Sequence, residues 1–248
     1  MTTQWIAGIN PVAGALANDI ERVQEVLVEQ ASRNPRVHEI GAQARKDGVR
    51  VRQAARAELD RLAGDARHQG IVAAYDAPKA LDEHDLASLA EAAGQTALFL
   101  ALDGVTDPHN LGACLRSAAA AKVTAVIVPK DRAAGLTPVA RRASAGGADR
   151  VPLVEVTNLA RALTTLKESG VWLVGLAGEG QTSLYAQDLN GPLALVLGGE
   201  GDGMRRLTRD TCDFVVRIPM PGVMESLNVS VATGVVLFEA LRQRGVVQ

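Results

Sequence analysis

Six short, almost uninterrupted apolar runs in the second half constrain this chain most: Ala97–Leu102, Val123–Val128, Val151–Val156, Val171–Ala177, Leu193–Leu197 and Phe214–Ile218. Each has the length of a strand, and helical patterns fall between most of them. A strand that is apolar on both faces must be covered on both faces, and helices in the crossovers do this for parallel strands. Residues 97–248 are therefore expected to form a doubly wound α/β domain with a parallel sheet. The last helix is expected from about Ser226 to Arg244, where Gly245 stops it. Leu227, Val231, Val235, Phe238 and Leu241 mark the side expected to be buried.

The first 75 residues are patterned differently, as a small α/β unit. Pro11–Ala17 suggests a helix and Val23–Val28 a buried strand. Pro35–Lys46 carries Val37, Ile40 and Ala44 at helical spacing. Val49–Arg52 alternates like a half-buried strand, Ala54–Leu62 is helical again, and Gly70–Tyr75 closes the unit. Between the two parts, residues 76–96 form an acidic linker with one helix, marked by Leu86, Leu89 and Ala93.

A chain of 248 residues with 47% hydrophobic and 22% charged residues belongs to the globular class. Aromatic residues are only 3%, so the core must come from Ala, Val and Leu, and surfaces that stack several bases on aromatic rings are disfavoured. The longest run of apolar residues and glycine, Gly170 to Gly178, is far too short to span a membrane. The uncharged start lacks the basic region of a signal peptide and is broken at Asn10-Pro11, so a cytoplasmic protein is expected. Cys114 and Cys212 suit neither a disulfide framework nor a metal site, and the four His lack ligand spacing, so no metal is expected. Net charge is −2, but residues 33–67 and 97–150 are mildly basic and 76–96 acidic. That pattern suits an RNA backbone or ordinary solvated faces.

Ligands of open α/β sheets bind in loops after the strands. Three such loops hold unusual residues. The first is Asp103-Gly-Val-Thr-Asp-Pro-His-Asn-Leu-Gly-Ala-Cys-Leu-Arg116, with Asn110 as a candidate N-cap and Leu111, Leu115, Ala118 and Ala119 as the apolar face of its helix. Arg116 lies off that stripe, either as a surface residue or leaning over the strand ends. The second loop, Gly198–Gly203, has four glycines and Glu200, an acid that faces either solvent or the cleft. It matches neither the dinucleotide fingerprint nor a phosphate loop. The third, Ile218-Pro-Met-Pro-Gly-Val-Met-Glu-Ser-Leu-Asn-Val-Ser230, offers Ser226 as an N-cap and places polar Asn228 and Ser230 in an apolar helix. No G-x-S-x-G elbow exists, and His109 is a lining residue.

The stretches Asp103–Arg116, Leu195–Met204 and Ile218–Ala240 resemble, in order and spacing, the three motifs of the SpoU (TrmH) class of SPOUT RNA ribose 2'-O-methyltransferases. Ser226-Leu-Asn-Val-Ser-Val-Ala-Thr-Gly is the closest match. Residues 1–75, leaving through His68-Gln-Gly-Ile71, resemble the L30e-type RNA-binding domain of one subgroup, which contains a bacterial enzyme that methylates a guanosine in the peptidyl-transferase P loop of 23S rRNA. The resemblance implies a C-terminal domain with a deep trefoil knot, a homodimer, and S-adenosylmethionine as methyl donor without a metal. Carried over by motif, donor binding falls to Gly198, Ile218 and Leu227 through their backbones, with Leu197, Gly199, Met220 and Ala177 beside them. The catalytic positions are Asn110, Arg116, Glu200, Ser226 and Asn228. One departure is Gly146-Gly-Ala-Asp-Arg150, where the family usually has Glu in place of Asp149.

The resemblance gives Arg116 the reacting hydroxyl, as electrostatic stabiliser or as base. Asn110 and Asn228 are to orient it and the ribose, and Glu200 is to fix the loop. The expected partner is 23S rRNA or a large-subunit assembly intermediate. Competing expectations are the same chemistry on tRNA or another rRNA loop, a ribosome-assembly factor that binds RNA without catalysis, and a nicotinamide-dependent oxidoreductase.

Overall fold

A computed structural model of the chain describes residues 2–64, 66–77, 81–201 and 203–246. The chain forms two compact units, Met1–Lys79 and Ala80–Gln248.

The first unit runs β1 (Thr2–Ala7), α1 (Ile9–Asn18), β2 (Val23–Glu29), α2 (Pro35–Lys46), β3 (Arg50–Ala54), α3 (Arg56–Ala63) and β4 (Ile71–Ala77). Its sheet has the order β1-β4-β2-β3, with β2 and β3 parallel and the other pairs antiparallel. Strand alternation sorts the side chains. Val26 and Val28 point to a cluster with Val12, Val37, Ala44 and Ile71, while Leu27 turns to Ala54, Leu59 and Val72. The helix at α2 starts where Asn34 caps the backbone N–H of Arg36 and Pro35 opens the first turn. The expected elements are all present. β1 is additional: its register against β4, with Trp5 opposite Ala74, makes it a strand, and no local pattern announces it.

The second unit comprises α4 (Leu86–Ala93), β5 (Leu98–Asp103), α5 (Pro108–Ala120), β6 (Ala125–Pro129), α6 (Pro138–Ala143), β7 (Leu153–Val156), α7 (Leu159–Glu168), β8 (Trp172–Leu176), β9 (Thr182–Ser183), β10 (Leu193–Gly198), α8 (Arg206–Thr211), β11 (Phe214–Arg217) and α9 (Val229–Gln243). All six expected strands are found, and the short edge strand β9 is added. The sheet is parallel throughout, in the order β7-β6-β5-β10-β8-β11-β9. Leu98, Leu100 and Leu102 join α5 and α9 on one face; Phe99 and Ala101 join α4 and α7 on the other. The helix expected within the linker is thus α4, whose Leu86 and Ala90 are buried in the second unit. Residues 78–80 of that linker lie outside the described residues.

The last helix differs from expectation on two counts. It begins at Val229, not near Ser226, because Asn228 is its cap. It also turns another face inward: Val229, Thr233, Val236, Leu237, Ala240 and Leu241 are buried. Of the face expected inside, only Leu241 is buried. Leu227, Val231 and Phe238 are exposed, and Val235 is half-buried. Two neighbouring stripes of α9 are apolar, and the chain's own sheet claims one of them. At the far end, Gly245 takes a positive φ of 68°. There Arg244 donates to the carbonyls of Thr96, Ala97, Leu189 and Gly191, buckling the helix end to the starts of β5 and β10.

Candidate active site

From β5 the sheet steps outward one way through β6 and β7, and the other way through β10, β8 and β11. The carboxyl ends of β5 and β10 thus flank a topological switch point, the favoured crevice of an open α/β sheet. There the backbones touch. Gly198 pairs with Asp103, and the Gly199 N–H donates to the Asp103 carbonyl at 2.8 Å. A Cβ on Gly198 would lie 2.0 Å from the carbonyl carbon of Gly203, and one on Gly199 2.2 Å from the Gly104 oxygen. Glycine is the one residue that fits at either position.

Over this crevice three side chains from the three loops meet. Asn110 donates to Glu200 Oε1 at 2.7 Å, Asn228 donates to the same oxygen at 2.8 Å, and Asn228 reaches Asn110 Oδ1 at 3.1 Å. Two amides sharing one carboxylate oxygen fix both amide orientations, because only an NH2 can face that oxygen. Asn228 is held further by Ser230, whose N–H and hydroxyl both donate to its Oδ1, at 2.9 and 2.6 Å. The capping roles expected of Asn110 and Ser226 pass to other residues. Asp107 caps α5 by accepting from the His109 N–H, with Pro108 opening the helix, so Asn110 stands inside the first turn and points at Glu200. Asn228 caps α9, and Ser226 is an exposed loop residue.

Arg116 lies about two turns along α5. It is exposed and has no partner among the described residues, which leaves its guanidinium available to a ligand. Its backbone is buttressed by the segment after α6: a Cβ on Gly147 would be 2.9 Å from the Arg116 Cα. In the same segment Asp149 binds Arg141 at 2.7 Å, which gives the shorter acid noted there a structural partner.

The positions carried over for donor binding also converge. Ala177, Gly198 and Ile218 end or follow the adjacent strands β8, β10 and β11. Leu197 is buried, Gly199 and Met220 are half-buried, and Leu227 is exposed at the end of the third loop. Residues 219–227 form no backbone hydrogen bond among the described residues, so their C=O groups, and the N–H groups of all but Pro219 and Pro221, are free for a ligand. Backbone donors and acceptors beside Leu197, Ile218 and Met220 suit a flat heterocycle with polar edges. Thiol nucleophiles are unsuited to this site: burial pushes Cys114 up to about 11 and Cys212 up to about 12.

Two residues of the site were not singled out as catalytic from the sequence. Ser230 was noticed only as a polar interruption, and its role is to fix Asn228. Asp103 is buried at the end of β5 and accepts from the backbone N–H of Arg205. An acid ending an otherwise apolar strand is the signal that marks it.

Comparison with known proteins gives the chain its family. The SpoU rRNA Methylase family matches residues 97–238, and the family described as RNA 2'-O ribose methyltransferase substrate binding matches residues 5–81. The chain is 60% identical over 241 residues, 97% of each chain, to the 23S rRNA (guanosine-2'-O-)-methyltransferase RlmB of Xanthomonas campestris pv. campestris. Among solved structures, the SpoU methyltransferase AviRb of Streptomyces viridochromogenes, in complex with AdoMet, superposes with a TM-score of 0.70 at 25% identity, over 98% of this chain and 90% of AviRb. The TrmH/SpoU tRNA modifying enzyme of A. aeolicus gives 0.56 at 30% identity, over 66% of this chain and 84% of that one. With matching profiles over both units and a relative of this identity across nearly its whole length, the chain belongs to the SpoU rRNA methylase family.

Proposed function

We propose that this protein methylates the ribose 2'-oxygen of a guanosine in 23S rRNA, in the P loop of the peptidyl-transferase centre, with S-adenosylmethionine as donor. The observation that carries the reading is the convergence of Asn110, Glu200 and Asn228 beside a backbone-lined crevice, with Arg116 left unpaired. The ribosomal target is supported by the RlmB relative and by the substrate-binding profile over the first unit. Similarity to the tRNA enzyme covers a smaller share of the chain. The joined amides and carboxylate also favour catalysis over passive RNA binding.

When bound, the donor would supply a methyl group on a sulfonium, whose neutral thioether, S-adenosylhomocysteine, is a good leaving group. The protein's share is alignment and charge. Gly198, Ile218 and Leu227 would hold the donor through backbone groups, with Leu197, Gly199, Met220 and Ala177 packed around it. Asn110 and Asn228, locked through Glu200, orient the ribose. Such alignment is worth roughly 7–11 kcal/mol in favourable cases. Arg116 stabilises negative charge developing on the 2'-oxygen as its proton passes to solvent. Ser226, at the exposed mouth of the third loop, borders the ribose.

The enzyme acts as a homodimer, with the chain threaded as the trefoil knot the family resemblance implies. Dimerisation is supported by the apolar stripe of α9 that the chain leaves uncovered, Val231 and Phe238 being 52% and 46% exposed. Replacing both with Glu is expected to halve the sedimenting mass while circular dichroism stays unchanged; an unaltered dimer would place the contact elsewhere.

The deciding experiment is transfer of labelled methyl from S-adenosylmethionine to unmodified 23S rRNA, mapped by nuclease protection and mass spectrometry, with tRNA in parallel. One 2'-O-methylguanosine in the P loop is the expected product. Label on tRNA alone would overturn the target, and absence of donor binding would overturn the enzyme.

A further inference from the structure

Asp103 stands apart from the residues that line the crevice. Its side chain is fully buried at the end of β5, whereas the charged residues that end β2 and β11, Glu29 and Arg217, keep access to solvent. A buried carboxylate carries a desolvation cost that is offset only by hydrogen bonds and charge partners. Here Oδ2 accepts from the Arg205 backbone N–H at 2.8 Å, and Oδ1 has no hydrogen bond, with the Arg205 Nε 3.5 Å away. A packed apolar residue would serve stability as well, so the arrangement calls for another explanation.

The geometry supplies one. The loop leaving β10 is tied at both ends to this single residue. At its start the Gly199 N–H donates to the Asp103 carbonyl, and at its end the Arg205 N–H donates to the Asp103 carboxylate. Gly199 and Gly203 also bridge each other across the loop. Glu200, the shared acceptor of Asn110 and Asn228, follows directly on the pinned Gly199. We propose that Asp103 is a positioning residue, a clamp that fixes the Gly199–Arg205 loop so that Glu200 stands where both amides can reach it. This inference rests on the methyl-transfer reading above. Asp103 itself touches neither substrate nor donor; it acts through Glu200. A charged acceptor suits the task because its hydrogen bonds are shorter and stronger than neutral ones.

The test isolates one hydrogen bond. Arg205 has φ −60° and ψ 148°, a conformation proline adopts without strain. Arg205→Pro therefore removes the N–H donor, and Arg205→Ala, which keeps it, accounts for loss of the side chain. We expect kcat of Arg205→Pro to fall about 30-fold or more below that of Arg205→Ala, with KM for RNA changed by less than about threefold. Asp103→Ala should show the same split, and Asp103→Asn, which keeps an acceptor oxygen, should recover most of the rate. Hydrogen exchange of the donor-free protein gives a second readout, in which the amides of Gly199, Glu200, Gly201, Gly203 and Met204 lose protection in Arg205→Pro but not in Arg205→Ala. Equal kcat and equal exchange in the two Arg205 variants would overturn the clamp. So would an Asp103→Ala protein of lowered Tm and full kcat. If the unsubstituted protein methylates no RNA, the methyl-transfer reading fails instead, and the exchange comparison still decides whether the clamp exists.

Discussion

Arg116→Ala should abolish most methyl transfer to 23S rRNA, by about 10²–10³-fold in kcat, with S-adenosylmethionine affinity nearly unchanged. The size follows from what the side chain is asked to do. A ribose hydroxyl is a weak acid, and a fixed guanidinium facing the nascent oxyanion acts mainly in the transition state, so its removal lowers kcat more than it weakens binding. The residue is exposed and has no hydrogen-bond or ion-pair partner among the described residues, so its loss should leave the unfolding transition in place. Arg116→Lys separates two roles. A point charge recovers part of the rate if field alone matters, and little if the planar fork must also grip a phosphate. Single-turnover rates at saturating donor are the measurement; a wild-type rate for the Ala variant would remove Arg116 from the mechanism.

Gly198→Ala should be the most damaging small substitution in the second unit. The added carbon would overlap the backbone of Gly203 and Met204, at 2.0 and 2.1 Å, and backbone cannot rotate aside as a side chain can. Overpacking typically costs about 1–3 kcal/mol and more where backbone must move. At roughly 2–4 °C per kcal/mol for a unit of this size, the transition of the second unit should fall by about 5–12 °C. Donor binding should fail with it, since the displaced loop carries Gly198 and Gly199, two of the positions proposed to hold the donor. Gly135→Ala is the control, because nothing lies within 4 Å of its added carbon. Calorimetry of the two variants should show the first shifted and the second at the wild-type temperature.

Legibility in the sequence varied with the range of the interactions. The strands of the second unit could be read directly, since a two-face-buried strand such as Phe99-Leu-Ala-Leu102 is apolar whatever surrounds it. The caps were harder. Asn110 and Ser226 are both good cap types, but the Asp107-Pro108 pair and Asn228 compete locally, and the backbone settles the contest. The inward face of α9 was misjudged because periodicity groups Val231, Val235 and Phe238 on one stripe without saying whether this chain covers it. The site itself joins Asn110 to residues 90 and 118 positions away. No spacing rule reaches that far, which is why the family resemblance, and not the pattern, brought the proposed catalytic residues together on paper.

The Arg244 buckle has a bearing on the order in which the molecule assembles. Its guanidinium closes on carbonyls up to 148 residues earlier in the chain. Contacts of such separation are paid for late, after nearer segments have collapsed, and belong to the native side of the folding barrier. The buckle should therefore slow escape from the native state far more than it speeds arrival there. Fastened across the ends of the strands opposite the crevice, it lends the second unit kinetic persistence, and the crevice inherits a lifetime set by a residue that takes no part in its chemistry.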